Sequence, residues 1–306
     1  MMRIKFWGVR GSIPSPGPDF VKYGGNTLCV ELSLKDLNRL IIIDAGSGLR
    51  LLGDQLMRRP VSAEPLSIDM FLTHTHLDHI LGFPFFAPIF LPGTRLRIHG
   101  PVTCEEDSLE AVLGGQLSYR YFPVRQAELA AEIEYINLKE GRFDLGDGIG
   151  LTTKYLNHPL LCLGFRFEYE GKTCCTAYDT EPFHNLFITD PNDPDFDATM
   201  AQEGMAAARD ENRRLEEFFG GADLLIHDAQ FTREEYDASK RGWGHSPVEF
   251  AIKSARRSKV KRLALFHHDP MRTDAQLDDL ADQHCNSKDA DASEVFFARE
   301  GMQVEL

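Results

Sequence analysis

The stretch Thr73-His74-Thr75-His76-Leu77-Asp78-His79 places four potential metal-binding side chains within six positions. It follows residues 67–72, an apolar run that reads as a buried strand. Side chains alternate along an extended chain, so His74 and His76 point to one side as the chain leaves that strand. Asp78 and His79 fall where the chain turns into a helix, aimed at a second point nearby. Such an arrangement suits two metal ions a few ångström apart, as in hydrolases that use a metal pair. A polar loop with chance histidines is the competing reading, and the density of donors at a strand end disfavours it.

Two metals need more ligands than this cluster supplies. Three further candidates stand at the ends of predicted strands: His158 after 151–157, Asp179 after 173–178 and His267 after 263–266. A lone histidine at a strand end is more often structural. In a chain already carrying the first cluster, the three together read as ligands. His268, next to His267, is the alternative for the last position.

The elements that must position these groups follow from hydrophobic periodicity. Strands are expected at 3–9, 27–33, 40–46, 67–72, 96–101, 132–138, 151–157, 161–169, 173–178, 223–227, 262–266 and within 294–305. Helices are expected after a Ser47 cap, with Leu49, Leu51, Leu52 and Leu56 on the apolar face, and at 104–117, through 211–217, at 247–258 and from Asp274. The Gly/Pro-rich stretch 8–18 reads as an ordered loop, 23–26 and 35–36 as turns, and 121–130 and 181–194 as irregular chain. Strand blocks separated by helices in both halves suggest two mixed sheets with helices outside, in one domain spanning 1–306.

Composition bounds the function. The chain has 306 residues, 42% hydrophobic and 10% aromatic, as in ordinary soluble globular proteins. No window approaches the ~20 apolar residues of a membrane span. The opening residues run at once into a strand, leaving no room for a signal peptide, so cytoplasmic residence is expected. The six cysteines (Cys29, Cys104, Cys162, Cys174, Cys175 and Cys285) are scattered and read as free thiols; Cys174 and Cys175, adjacent on a strand, point to opposite faces. A formal charge of −14 argues against a broad nucleic-acid surface, and the acidic segment at 104–107 would repel one. Two divalent cations would add about +4 locally, so the site itself attracts a small anion.

The HxHxDH pattern, with the order and spacing of His158, Asp179 and His267, resembles the metallo-β-lactamase superfamily over nearly the whole chain. That resemblance implies an α/β fold, a four-layer αββα sandwich of two mixed β-sheets flanked by helices. It implies that His74, His76 and His158 hold one metal, that Asp78, His79 and His267 hold the other, and that Asp179 bridges them. Asp44, at a position the fold shares, is implied as a support beneath the cluster. His268 and Asp269 would then lie around the last ligand, where a carboxylate commonly orients an imidazole. The cofactors implied are two divalent metal ions, with zinc favoured by the imidazoles and manganese or iron tolerated by the shared carboxylates.

Finer features narrow the class. Lactamases with a cysteine zinc ligand carry it near the Asp179 position, so antibiotic hydrolysis is disfavoured, and a carboxylate there suits phosphodiesterases and thioesterases. Residues 225–231 resemble the HEAT-type loop of the ribonuclease Z branch, and Gly244-His245-Ser246-Pro247 is similar to the His-Ser-Thr loop that follows it there. The resemblance implies that Asp228 and His245 assist proton transfer and hold the scissile phosphate. This chain departs from the pattern with Asp for Glu, Gln for Thr and Pro for Thr. The competing reading has His245 capping the following helix. The N-terminal stretch, from Gly8-Val9-Arg10-Gly11-Ser12 to Tyr23-Gly24-Gly25-Asn26-Thr27, resembles phosphoribosyl cyclic phosphodiesterase-like proteins; Arg10 there either contacts a substrate phosphate or braces its own loop. His99, His227 and His284 receive structural readings, and His184 too, although its loop lies where substrate could pass. Phe83, Phe85, Phe86 and Phe90 are expected in the core or lining a pocket.

The expectation is a dinuclear metal-dependent hydrolase, a phosphodiesterase cleaving a small or cyclic phosphodiester by a metal-bridging hydroxide. Asp78 would orient or accept from that water. His245, protonated and held by Asp228, would donate to the departing alkoxide. One alternative is a tRNA 3′-processing-type endoribonuclease, which the charge disfavours. Another is a non-catalytic metal-bound sensing or binding module, which would predict a broken ligand set. The partner expected is a small phosphodiester, with long nucleic acid disfavoured, no membrane contact, and a homodimer compatible with the sequence.

Overall fold

The computed structural model describes residues 1–34, 37, 39–58, 65–102, 107–285 and 293–306. The first half builds one sheet from β1 (Met2–Gly8), β2 (Cys29–Leu34), β3 (Arg39–Ile43), β4 (Ser67–Phe71), β5 (Arg95–Pro101) and β6 (Glu132–Leu138), completed by the final strand β14 (Gln303–Glu305). The second half builds the other from β7 (Gly141–Asp144), β8 (Gly150–Tyr155), β9 (Leu163–Tyr169), β10 (Lys172–Ala177), β11 (Leu224–Asp228), β12 (Arg262–Phe266) and β13 (Glu294–Phe297). The orders are β14-β1-β2-β3-β4-β5-β6 and β13-β12-β11-β10-β9-β8-β7. In each sheet antiparallel ladders give way to parallel ones, at β3 in the first and at β10 in the second.

Helices α1 (Leu49–Met57), α2 (Leu77–Ile80), α3 (Leu109–Gln116), α4 (Ala198–Phe219), α5 (Arg233–Glu235), α6 (Val248–Arg257) and α7 (Asp274–His284) complete the chain. Period-two alternation sorts the strands' apolar residues into layers. In β3, Ile41 and Ile43 face the core shared by the two sheets, while Leu40 and Ile42 pack with Leu49, Leu52 and Leu56 of α1. In β11 and β12, Leu224, Ile226, Ala264 and Phe266 enter the shared core, while Leu225, Leu263 and Leu265 meet α4, α6 and α7. Each buried Leu, Ile or Phe contributes about 2 kcal/mol of hydrophobic stabilisation. A one-residue slip in any of these strands would exchange the two layers, so register is strongly specified. Cys174 and Cys175 obey the same rule, the first facing the other sheet and the second the helices. The four-layer sandwich is as expected.

Several local expectations are corrected. Ser47 does not cap α1: Gly48 occupies the cap position, and Ser47 Oγ instead accepts from the Thr27 N–H and donates to Asn26. Strand β7 was not foreseen, because this short edge strand half-buries only Gly141 and Phe143 and carries no alternating apolar signal. Helix α4 begins well before its charged stretch, at an Asp197 cap whose carboxylate accepts from the Thr199 and Met200 N–H groups. Phe83 and Phe86 are core, but Phe85 is 55% exposed and packs with Phe90 around Phe122 at the surface. The expected turn at 35–36 and the segment 104–106 lie outside the described residues. No helix among the described residues is long and apolar enough to cross a membrane.

Candidate active site

The site forms where the carboxyl ends of the parallel strands in both sheets converge, the usual ligand position in sheets of this kind. Asp44 follows β3, His74 to His79 follow β4, Asp179 follows β10, Asp228 ends β11 and His267 follows β12. Asp44, Asp179 and His267 all adopt the left-handed backbone region, with φ of 60°, 46° and 58°. Non-glycine residues rarely take that conformation, and strained backbone of this kind concentrates at functional sites. Here it turns each side chain off its strand and into the cleft between the sheets.

Three overlapping groups of donors result. His74, His76, His158 and Asp179 form one, Asp78, His79 and His267 a second, and Asp179, His245 and His267 a third that shares members with both; within each, the candidate ligand atoms lie within 4.8 Å of one another. In the first, His76 Nδ1 lies 2.9 Å from His74 Nε2 and 3.1 Å from His158 Nε2. In the second, Asp78 Oδ2 lies 3.6 Å from His79 Nε2 and 3.4 Å from His267 Nε2. Asp179 joins them: its Oδ1 is 3.2 Å from both His79 Nε2 and His267 Nε2, and its Oδ2 is 3.5 Å from His74 Nε2. The structure brings together every residue that the sequence assigned to the cluster. It separates His267 from His268, whose Nε2 donates to the Ala298 carbonyl at 2.8 Å and whose imidazole burial pushes down to about 3.

Outer partners fix which nitrogen each imidazole offers. His79 Nδ1 lies 2.8 Å from Asp44 Oδ2, and a carboxylate only accepts, so Nε2 is left to face the cluster. Asp44 is itself held by the Thr73 N–H at 2.7 Å and the Thr73 hydroxyl at 2.9 Å. His158 Nδ1 donates to the Gly244 carbonyl at 3.1 Å, again leaving Nε2 inward. The Ser12 N–H donates to Asp78 Oδ2 at 2.7 Å, from a loop residue also in the left-handed region. Sequence reasoning assigned no role to Thr73, Ser12 or Gly244; the Gly-Ser pair in the N-terminal loop was the only signal for Ser12. Asp269, expected beside an imidazole, instead accepts from the Met271 N–H.

The electrostatics favour cations. Burial alone would lower the pKa of His79, but Asp179, Asp78 and Asp44 around it hold it well above the ordinary histidine value. His267 is raised in the same way by Asp179 and Asp78 against its burial. Burial opposes ionisation of Asp78, yet His79 and His267 keep its carboxyl below the usual range. By contrast, burial pushes His158 down to about 4 and also lowers His74, leaving neutral imidazoles suited to ligation. Among the described residues His79 Nε2, His267 Nε2 and Asp179 Oδ1 are buried without hydrogen-bond partners. Unpaired buried polar atoms are costly, and three converging on one point fit a shared cation.

His245 stands beside this cluster. Its ring stacks on His267 with centroids 4.6 Å apart, and its Nδ1 lies 2.9 Å from Asp228 Oδ2. Asp228 is wholly buried and also accepts from the Thr180, Gln230 and Ser246 N–H groups. The acid–histidine pair is therefore in place despite the shorter carboxylate. His245 does not cap α6, whose cap position is Pro247. Arg10 is corrected: it is fully buried, and its guanidinium donates to the carbonyls of Gly24, Asp269 and Arg272 at 2.9, 3.1 and 2.6 Å. It braces its loop and does not present a charge to substrate. His99 pairs with Asp69 at 3.2 Å, His184 lies 3.8 Å from Glu181 and His284 3.9 Å from Glu249, while His227 is buried.

A four-layer sandwich with this histidine–aspartate constellation at its strand ends defines a metallo-β-lactamase-fold hydrolase, with clusters compatible with a dinuclear metal site. The sequence profile described as the beta-lactamase superfamily domain matches residues 39–268, and the chain belongs to that superfamily. It is similar to the ribonuclease Z of Lactococcus lactis subsp. lactis (strain IL1403), 26% identical over 298 aligned positions that cover 87% of this chain and 88% of that one. Among solved structures it is similar to a diphosphatase from the PhnP family, with a TM-score of 0.64 and 16% identity over 100% of this chain and 98% of that one. It is also similar to the short form of human tRNase Z, with a TM-score of 0.59 and 20% identity over 99% and 98% of the two chains. These two structural likenesses concern the fold.

Proposed function

We propose that this hydrolase is a two-metal phosphodiesterase, with His74, His76 and His158 holding one ion, Asp78, His79 and His267 the other, and Asp179 between them. The observation that carries the choice of reaction is the Asp228–His245 pair stacked against His267 at the edge of the ligand cluster. Two bound divalent ions would supply Lewis acidity toward a phosphoryl oxygen and lower the pKa of water in the site; the imidazole-rich donor set favours zinc, with manganese or iron tolerated. Asp78, held by the Ser12 N–H, orients the attacking water. Asp228 fixes the His245 ring with Nδ1 toward itself, so that Nε2 serves the substrate. Protonated, His245 binds a phosphate oxygen electrostatically and then gives its proton to the departing alkoxide. An ester with a stable leaving group would not need that donor, and a diester with an alkoxide leaving group does.

A small or cyclic diester is the substrate class that the chain's acidity favours, since a charge of −14 leaves little to hold a long polyanion. The ribonuclease Z relative, aligned over 87% of this chain, favours tRNA 3′ processing as the second reading. The deciding experiment is a metal-reconstituted panel of a simple diester, a cyclic nucleotide, a ribosyl cyclic phosphate and a precursor tRNA. The first reading expects the small diesters to show the highest kcat/KM. Precursor tRNA as the best substrate would reverse the ranking, and no turnover of any diester would refute both.

A further inference from the structure

Glu181 stands where three loops of the site meet, and the reaction as written does not use it. It follows Asp179 by two positions and is only 3% exposed. Its backbone N–H donates to the Asn157 carbonyl at 2.9 Å, and its carbonyl accepts from Asn157 Nδ2 at 3.2 Å, next to His158. Its carboxylate accepts from the Tyr236 hydroxyl at 2.6 Å, from the Gly242 N–H at 2.8 and 3.0 Å, and from the Gly244 N–H at 3.0 Å. The Gly244 carbonyl in turn receives His158 Nδ1, and the next residue is His245. One residue thus joins three parts of the site, its backbone holding the His158 loop and its carboxylate the segment that presents His245.

No lysine or arginine reaches ion-pair distance of this carboxylate among the described residues; the closest basic group is His184 at 3.8 Å, itself 38% exposed. A buried carboxylate is costly, and here its compensation comes from neutral donors within residues 236–244, the Tyr236 hydroxyl from a helical turn and two N–H groups from the loop after it. That loop is closely packed at Gly244. Gly242 and Gly244 both have φ of 82°, and a Cβ on Gly244 would stand 2.3 Å from His158 Nδ1. Ser246 closes the junction by donating from Oγ to the Thr180 carbonyl at 2.6 Å.

We propose that Glu181 is a positioning residue that sets the placement of His245 and the orientation of His158 together, through the Gly242–Gly244 segment. The part concerning His245 rests on its role as the proton donor; the part concerning His158 does not. Removing the carboxylate leaves the buried Tyr236 hydroxyl and Gly244 N–H, and the part-buried Gly242 N–H, without their acceptor, so the segment relaxes and both imidazoles shift. Glutamine keeps one acceptor oxygen but offers its amide N–H groups to donors, so it restores the arrangement in part.

The test compares Glu181→Ala and Glu181→Gln in the full chain, alone and combined with His245→Ala, after thermal melts show that each is folded. Turnover of a diester with an alkoxide leaving group and one with nitrophenolate is measured, and zinc affinity is read by chelator competition. Glu181→Ala should lower alkoxide turnover about 10²-fold, the scale of an ångström misplacement, with a much smaller loss for nitrophenolate. It should add less than about twofold to His245→Ala, because interacting residues are not additive. One zinc equivalent should weaken about 10-fold, as for other groups that orient a ligand, and Glu181→Gln should lie between Glu181→Ala and the parent. Equal losses for both leaving groups, full additivity with His245→Ala and unaltered zinc affinity would overturn the proposal. If His245→Ala shows no leaving-group preference, the proton-donor role fails and the zinc affinity alone decides for Glu181. If Glu181→Ala does not fold, Glu181→Gln carries the same comparisons.

Discussion

Asp44 Oδ2 lies 2.8 Å from Nδ1 of His79, with both residues wholly buried, and this contact leaves His79 only Nε2 to offer toward Asp179. Asp44→Asn presents an amide that cannot hold the same tautomer with the same charge. Zinc affinity should fall by about 10- to 100-fold, the range for partners that orient a metal ligand. Equilibrium dialysis against a zinc buffer measures it, and parental affinity in the variant would remove Asp44 from the support of the site.

Gly11 packs its Cα against His267: a Cβ there would stand 2.1 Å from the ring. Gly11→Ala should therefore displace His267 and reduce turnover by about 10²-fold, as misplacement of a group by an ångström does. Gly115, in α3 with open space around it, supplies the control, since Gly115→Ala should leave turnover unchanged and raise the melting temperature slightly. Equal activity of the two variants would show that the close approach to His267 is unimportant.

The Asp228–His245 pair separates leaving groups. His245→Ala should lower turnover of an alkyl phosphodiester by about 10²-fold or more, the usual contribution of a general acid, while a nitrophenyl diester loses far less. Asp228→Asn should show the same pattern in weaker form, since the imidazole remains but its orientation is no longer fixed. Steady-state kcat on the two esters settles it. Equal losses on both would point to a binding or structural role.

Away from the site, Asp69 sits beneath Arg39, Arg97 and His99, at 3.1 Å from Arg39, 2.8 Å from Arg97 and 3.2 Å from His99. Burial would raise its pKa, but His99, Arg97 and Arg39 outweigh that and hold the carboxyl below its ordinary value. A carboxyl lowered in the folded state contributes stability above the ordinary carboxylate range, and that contribution is lost as pH falls through the folded value. Asp69→Asn should cost about 2 kcal/mol at neutral pH. Its melting temperature should also fall less steeply than the parent's on acidification below about pH 4. Parallel acid limbs in the two melting curves would contradict this.

The legibility of the chain divides along physical lines. The His74–His79 cluster and the strand-end residues His158, Asp179 and His267 were readable because donor type and position relative to a strand are local properties. So were the sheet layers, since an alternation such as Leu40-Ile41-Ile42-Ile43 carries both faces of β3 in one run. Arg10 was ambiguous in sequence because bracing and substrate contact use the same residue type; only its burial and its three carbonyl partners separate them. Glu181 and Thr73 gave no signal and Ser12 only that of its Gly-Ser pair, since their roles depend on loops brought together from distant parts of the chain. His267 was preferred over His268 in sequence because it ends the strand, and the structure adds what a sequence does not display, the left-handed backbone at His267 and the bond from His268 to the Ala298 carbonyl.

The central claim is that the two donor groups joined by Asp179 hold a metal pair that hydrolyses phosphodiesters. Its most direct measurement is the rate of bis(p-nitrophenyl) phosphate hydrolysis as zinc is titrated into metal-stripped protein, for the parent and for Asp179→Ala. The account predicts a rate that rises until two equivalents are bound and is lost in Asp179→Ala. Hydrolysis that is indifferent to zinc, or is the same in both proteins, would contradict it.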